Sequence, residues 1–243
     1  MILQLLVLTA VVIFMLEKKF LISETRGATL SHYEDVSGMD KVLLLVDDFE
    51  GLTTDGQTKG SDSLLKTSGF FDYGSIKVAL DMEKVDKNPL ASKTALVARW
   101  NPSEPYGGWG KGVGANIELN AMTDYLNFRV YNPASNGMDE ILKVMLQEDD
   151  DENGVLDESK DDKWIHRVTI PAKDQWQTIS IPLKDFIHEG EGGDKTFNVT
   201  RKGGLHNIIF NFEQPDKYTK DHVWYFDFIC FSNEKMNDNM NLK

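Results

Sequence analysis

Residues 143–186 read KVMLQEDDDENGVLDESKDDKWIHRVTIPAKDQWQTISIPLKDF, and the way this run alternates decides the fold. With Leu142, the residues Val144 and Leu146 fall on one side of an extended chain and Lys143, Met145 and Gln147 on the other, the period of a half-buried strand. Strands are predicted at 140–148, 163–170 and 176–183, with only Leu183–His188 reading as a helical turn. Between the first two strands lies Glu148–Asp162, with nine acids and one lysine, a net charge of −8. Within it Asp149, Asp151 and Asn153 offer hard oxygens on alternate residues and Gly154 supplies a sharp turn. That is the first half of a calcium loop. The pattern breaks at the twelfth position, where Lys160 replaces a bidentate Glu, and strand-like flanks exclude an EF-hand. Two readings stand: a cation held by Asp149, Asp151 and Asn153, or a solvated acidic loop whose charges never converge.

Outward from this run the β pattern continues. Strands are predicted at 42–49, 70–80, 94–100, 115–121, 124–132, 205–213 and 223–232, separated by turn signals such as Asn132-Pro133 and Gly203-Gly204. Ten short strands without a helical period define an all-β chain, a β-sandwich or jelly roll. In Tyr125–Tyr131, Leu126, Phe128 and Val130 share the core face. If that strand pairs with 140–148, one outer surface carries Asn127, Arg129, Tyr131, Lys143 and Gln147, a platform for a hydroxyl-rich ligand. Tyr106 and Trp109 lie in a glycine-rich stretch read as a loop, where aromatic rings can stack on a pyranose. The alternative folds Trp109 back as a plug over the end of the sandwich. Trp100, Trp176 and Trp224 read as core.

The chain has 243 residues, of which 41% are hydrophobic, and a net charge of −13. Most of that charge is the acidic loop, so acidity is local, and the absence of a basic footprint excludes nucleic-acid binding. The single cysteine, Cys230, permits no internal disulfide and reads as a small buried hydrophobe. No nucleophile elbow, phosphate loop or zinc spacing is present, no pair of acids is singled out, and His166 reads as structural, so catalysis is not expected. Met1–Leu16 is apolar, with no basic residue before it and Lys18 and Lys19 after it. Residues 1–22 are expected to be a signal peptide or membrane anchor, 23–40 a linker, 41–232 the sandwich and 233–243 a flexible tail. The expected location is exported: periplasmic, cell-surface or secreted.

Four stretches together carry a resemblance: VDDFEG (46–51), PYGGWGKGVG (105–114), the run 143–186 and VWYFDFI (223–229). They resemble family 11 carbohydrate-binding modules and related galactose-binding-like domains; complex I intermediate-associated proteins share a similar sandwich. The resemblance implies non-catalytic polysaccharide binding, with a structural calcium between the first and last strands at Asp48, Glu50 and Asp227. The expected ligand surface is Tyr106, Trp109, Arg129, Tyr131 and Gln147, with aromatics stacking and Arg129 and Gln147 bonding hydroxyls. A dissociation constant of roughly 10⁻⁵ to 10⁻³ M is expected. The competing expectation is a structural or assembly protein that binds another protein through the same fold, or a subunit of a cell-surface glycan-uptake complex.

Overall fold

The computed structural model describes residues 41–49, 70–81, 92, 94–115, 117–199, 204–218 and 221–237. Among them run twelve strands: β1 (Val42–Asp47), β2 (Phe70–Gly74), β3 (Ile76–Asp81), β4 (Ala95–Trp100), β5 (Gly107–Ala115), β6 (Tyr125–Tyr131), β7 (Glu140–Glu148), β8 (Lys163–Ile170), β9 (Trp176–Pro182), β10 (Ile187–His188), β11 (Leu205–Phe212) and β12 (Val223–Ser232). They form two six-stranded sheets. Sheet I has the order β3-β4-β12-β6-β9 with β1 also beside β12, and sheet II the order β10-β8-β7-β11-β5-β2. Every pairing is antiparallel. The described residues contain short 3-10 turns but no α-helix, and none of their helices is long and apolar enough to cross a membrane.

The two sheets face each other because each strand turns one row of apolar side chains inward. β7 supplies Leu142, Val144 and Leu146, and β6 supplies Leu126, Phe128 and Val130, all fully buried. Aromatic rings fill the centre. Trp109 stacks on Phe210 with ring centroids 4.6 Å apart and meets Phe226 edge-on at 5.1 Å, while Phe128 meets Phe210 at 5.0 Å.

β12 is the spine of sheet I. Its first half pairs with β4 and its second half with β1 on the same side, while β6 runs along the other. Where the two halves meet, the β6 register slips between Asp227 and Cys230, and Phe228 has a φ of 49°. A bulge of this kind bends a strand so that it can serve two neighbours.

Four differences from the sequence-based expectation have physical causes. The stretch 70–80 is two strands, because Gly74 turns the chain at φ 59° where a Cβ would collide with the Tyr106 carbonyl. No strand covers 117–120; the fifth strand is the glycine-rich segment Gly107–Ala115, held between β2 and β11. Pairing on both sides outweighs the poor intrinsic strand preference of glycine. β6 and β7 do not pair but lie in opposite sheets. The connection between them crosses over, pinned by Asn132, whose Nδ2 donates to the Ile170 carbonyl at 2.9 Å, and by Asn136, whose Nδ2 donates to the Val223 carbonyl at 2.7 Å. Last, packing runs past Ser232: Met236 is buried, and its sulfur lies 3.6 Å from that of the buried Cys230.

Candidate functional site

The outer face of sheet II is organised in rows across the strands. Following the register, one row runs Ile187 (β10), Ile165 (β8), Met145 (β7), Ile209 (β11), Gly110 (β5) and Phe71 (β2). These positions alternate with the core-facing ones, so their side chains form a stripe separate from the core. Two of the residues, Ile187 and Phe71, stand 62% and 37% exposed at its ends, and Ile165 and Ile209 in between are nearly covered. Polar rows flank the stripe two residues away on each side. One runs Arg167, Lys143, Asn211, Gly108 and Tyr73, and the other Lys163, Gln147, Asn207 and Gly112.

The β5 glycines shape this face. With no side chains at 108 and 110, the rings of Tyr73 and Phe71 lie over the β5 backbone. A Cβ at Gly108 would come within 2.5 Å of the Tyr73 hydroxyl, and one at Gly110 within 2.6 Å of Phe71 Cζ. Tyr73 reaches across the bed and donates from Oη to Asn211 Oδ1 at 2.9 Å. Burial pushes its pKa up to about 12, so it remains a donor throughout the physiological range. Asn207 Nδ2 donates to Gln147 Oε1 at 3.1 Å. The cations of the face are held by acids: Lys143 and Lys163 share Glu189, at 2.7 and 3.4 Å, and Arg167 forks onto Glu213 at 2.8 and 2.9 Å. The result is a floor of apolar carbon bordered by amides, a phenol and ion pairs.

Beyond one end of β7, acidic side chains converge in two groups, Asp149, Asp151 and Asp161, and Asp150, Asp162 and Asp194, the candidate ligand atoms of each lying within 4.8 Å of one another. The doubling follows from the sequence. Each of the adjacent pairs Asp149-Asp150 and Asp161-Asp162 sends one carboxylate to either group. In the first group, Asp149 accepts the Gly154 N–H at 2.8 Å and Asp161 accepts the Asp150 N–H at 2.9 Å. Asp161, one residue beyond Lys160, thus closes the loop that the twelve-residue pattern left open. Asn153 turns its Oδ1 to the Val155 N–H at 2.7 Å. In the second group Asp162 receives His188 Nε2 at 2.8 Å, and a Cβ at Gly193 would collide with its carboxylate.

Electrostatics mark the second group as strained in charge. Asp150 is raised to about 6, by burial first and then by the charge of Asp162. The neighbouring Glu148, buried at the end of β7, is raised to about 8, again by burial first and then by Asp150 and Asp162. Acidic residues are clustered so that they are able to hold a metal ion, and all the donors are hard oxygens that suit calcium, magnesium or manganese.

The residues expected to form the ligand surface separate into three places. Gln147 lies on the outer face of sheet II, and Tyr106, 54% exposed, stands immediately before β5 of that sheet. Trp109 is fully buried in the core, with no surface on which a sugar could stack. The plug alternative fits its burial, although it sits at the centre of the core and not at its end. Arg129 and Tyr131 lie on the outer side of sheet I, across the sandwich from Gln147. There Arg129 is buried and donates to Thr178 Oγ1 at 2.9 Å, and Tyr131 packs against Trp176 and Tyr225. Among the residues expected between first and last strands, Asp48 and Asp227 are buried. Asp227 accepts the Ser92 hydroxyl at 2.6 Å and the Phe228 N–H at 2.7 Å. Glu50 lies outside the described residues. Sequence reading missed Phe71, Tyr73, Asn207, Asn211 and Asp161. The spacing of Gly108, Gly110 and Gly112 by two was the available signal, because it strips one face of a strand bare.

The fold so defined is the β-sandwich of carbohydrate-binding modules. Solved structures that share it include the family 11 module of a cellulosomal cellulase of Clostridium thermocellum. That match has 16% identity over 79% of this chain and 94% of that one, with a TM-score of 0.51. The solution structure of CtCBM11 matches with 18% identity over 79% of this chain and 95% of that one, TM-score 0.50. An arabinose-bound α-L-arabinofuranosidase matches with 13% identity and a TM-score of 0.50, over 79% of this chain but 26% of the enzyme. No family model matches the chain, and no curated protein is significantly similar to it.

Proposed function

We propose that the protein is an exported, non-catalytic carbohydrate-binding domain that takes a polysaccharide on the outer face of sheet II and holds structural calcium in the acidic groups beyond β7. One observation carries the glycan reading: an apolar stripe bordered on both sides by polar rows. A pyranose ring has an apolar face of C–H groups and a rim of hydroxyls, so stripe and rows match its two surfaces. The rows lie about 7 Å to either side of the stripe, and five interstrand steps span about 24 Å, room for several sugar units. Phe71 and Tyr73 on their glycine bed would stack on ring faces. Asn207, Asn211, Gln147 and Tyr106 would bond hydroxyls at the rim. The shared fold with family 11 modules supports this reading, and the acidic groups support calcium as a fastening of the loops and not as a reactant.

Binding to a panel of soluble polysaccharides, measured by affinity electrophoresis and calorimetry, tests the proposal. The wild type is expected to bind one glycan class. Phe71→Ala and Tyr73→Ala should each weaken it about tenfold, the value of about 1–2 kcal/mol of lost ring contact. Tyr131→Phe, on the other sheet, should bind like the wild type. Loss of binding in Tyr131→Phe with none in Phe71→Ala would move the site to sheet I. A folded protein that retains no glycan from the panel would count for the protein-binding alternative.

A further inference from the structure

At the opposite end of β7 from the acidic loops sits a second set of ionisable groups that glycan binding does not use. Glu140, the first residue of β7, is fully buried on the core side of the strand. Tyr218 donates its hydroxyl to Glu140 Oε2 at 2.5 Å. Tyr218 follows the 3-10 turn Pro215–Lys217 in the crossover that carries the chain from β11 in sheet II to β12 in sheet I. His222, also buried, ends that crossover; its ring stacks on Tyr218 at 4.3 Å and on Trp224 at 5.7 Å, and its carbonyl accepts the Trp100 N–H at 3.0 Å. Trp100 meets the Tyr218 ring edge-on at 5.5 Å. A buried carboxyl group is therefore tied to the hydroxyl of Tyr218, whose ring packs in a cluster with Trp100, His222 and Trp224.

We propose that the buried Glu140 carboxyl is a pH-sensitive latch: neutral, it seats the β11–β12 crossover against the start of β7, and ionised, the cost of holding its charge away from water loosens that seating, which the Tyr218 bond offsets only in part. Among the described residues, the rest of the crossover is tied to the start of β7 and the residue before it by uncharged bonds. The Glu213 N–H reaches the Ile141 carbonyl at 3.2 Å, and Gln214 Nε2 reaches the Asp139 carbonyl at 3.3 Å. A buried carboxylate has lost its water and regains only part of it from the Tyr218 phenol and the Ile141 N–H, so ionisation works against closure. The charged groups around it do not reverse this. Lys217 favours the ionised form and Glu213 opposes it, and Glu213 is itself neutralised by Arg167. Asp216 adds negative charge on the turn beside Tyr218, and His222 is the other titratable group against that ring. Burial, the largest influence, raises Glu140 to about 7.

The sign is definite. An unfolded Glu ionises near 4.5, so the contribution of neutral Glu140 is complete below that value and is lost as pH rises to about 7. The indole N–H resonances of Trp100 and Trp224, followed by NMR from pH 5 to 9 on the full chain, read the latch. In the wild type both should move with a midpoint near neutrality. Glu140→Gln should flatten the curve and keep a melting temperature roughly 5–10 °C higher, relative to wild type, at pH 8 than at pH 5. Tyr218→Phe removes a bond that favours the charged form, so its midpoint should rise. A wild type with no transition overturns the latch. So does a transition that survives in Glu140→Gln, or a midpoint that falls in Tyr218→Phe.

Discussion

Calcium added to chelator-treated protein is expected to raise the melting temperature by roughly 10–20 °C. A ligand at a hundred times its dissociation constant stabilises the native state by about 2.7 kcal/mol per site. Two sites in a domain of this size convert to that range. The two acidic groups share no carboxylate, so the effect should divide. Asp161→Asn should remove the part due to the group of Asp149 and Asp151, and Asp162→Asn the part due to the group of Asp150 and Asp194. The second part should also depend on pH. Because Asp150 is raised to about 6, protons compete with the cation there, and calcium affinity should weaken as pH falls through that value. Differential scanning calorimetry with calcium, magnesium and chelator checks all three statements. A melting curve indifferent to calcium would falsify the cation reading and leave a solvated acidic loop.

Trp109→Ala is expected to cost about 3–5 kcal/mol and lower the melting temperature by roughly 10–15 °C. The indole is fully buried between Phe210 and Phe226, so its removal leaves a cavity that the two facing sheets cannot close. Trp109→Phe should be far milder, since the indole N–H has no hydrogen-bond partner among the described residues and little beyond ring volume is lost. Chemical denaturation of both variants measures this. A Trp109→Ala protein as stable as the wild type but unable to bind glycan would return the residue to the ligand surface.

The sandwich was legible in the sequence because alternation is local. Leu142, Val144 and Leu146, or Leu126, Phe128 and Val130, announce a core face without reference to the rest of the chain. Pairing is not local, and there the reading failed. Nothing in Tyr125–Gln147 tells that the chain crosses from one sheet to the other at Asn132–Asn136, so Arg129 and Gln147 were placed on one surface when they lie on opposite sides. Trp109 misled for a related reason. Glycines on both sides of it read as a loop, whereas in β5 they are the outward positions of a strand whose inward position is the tryptophan. The acidic loop was half legible. Asp149 and Asp151 followed a known spacing, but Asp161 enters from the far end of the loop, and Asp194 from beyond β10 by tertiary folding alone.

The position of β12 bears on how the chain acquires its structure. It is the last of the described strands in chain order, yet β1, β4 and β6 all pair with it. Sheet I therefore has no centre until Val223–Ser232 has been synthesised, and its pairings with β1, β4 and β6 each span a long stretch of chain. Folding of that topology is slow, because loop entropy must be overcome before pairing is rewarded. During synthesis β3 and β4 can form a hairpin, but they have no sheet to join. Sheet I commits to its compact form only once Val223–Ser232 is free to slide between β1 and β4 on one side and β6 on the other.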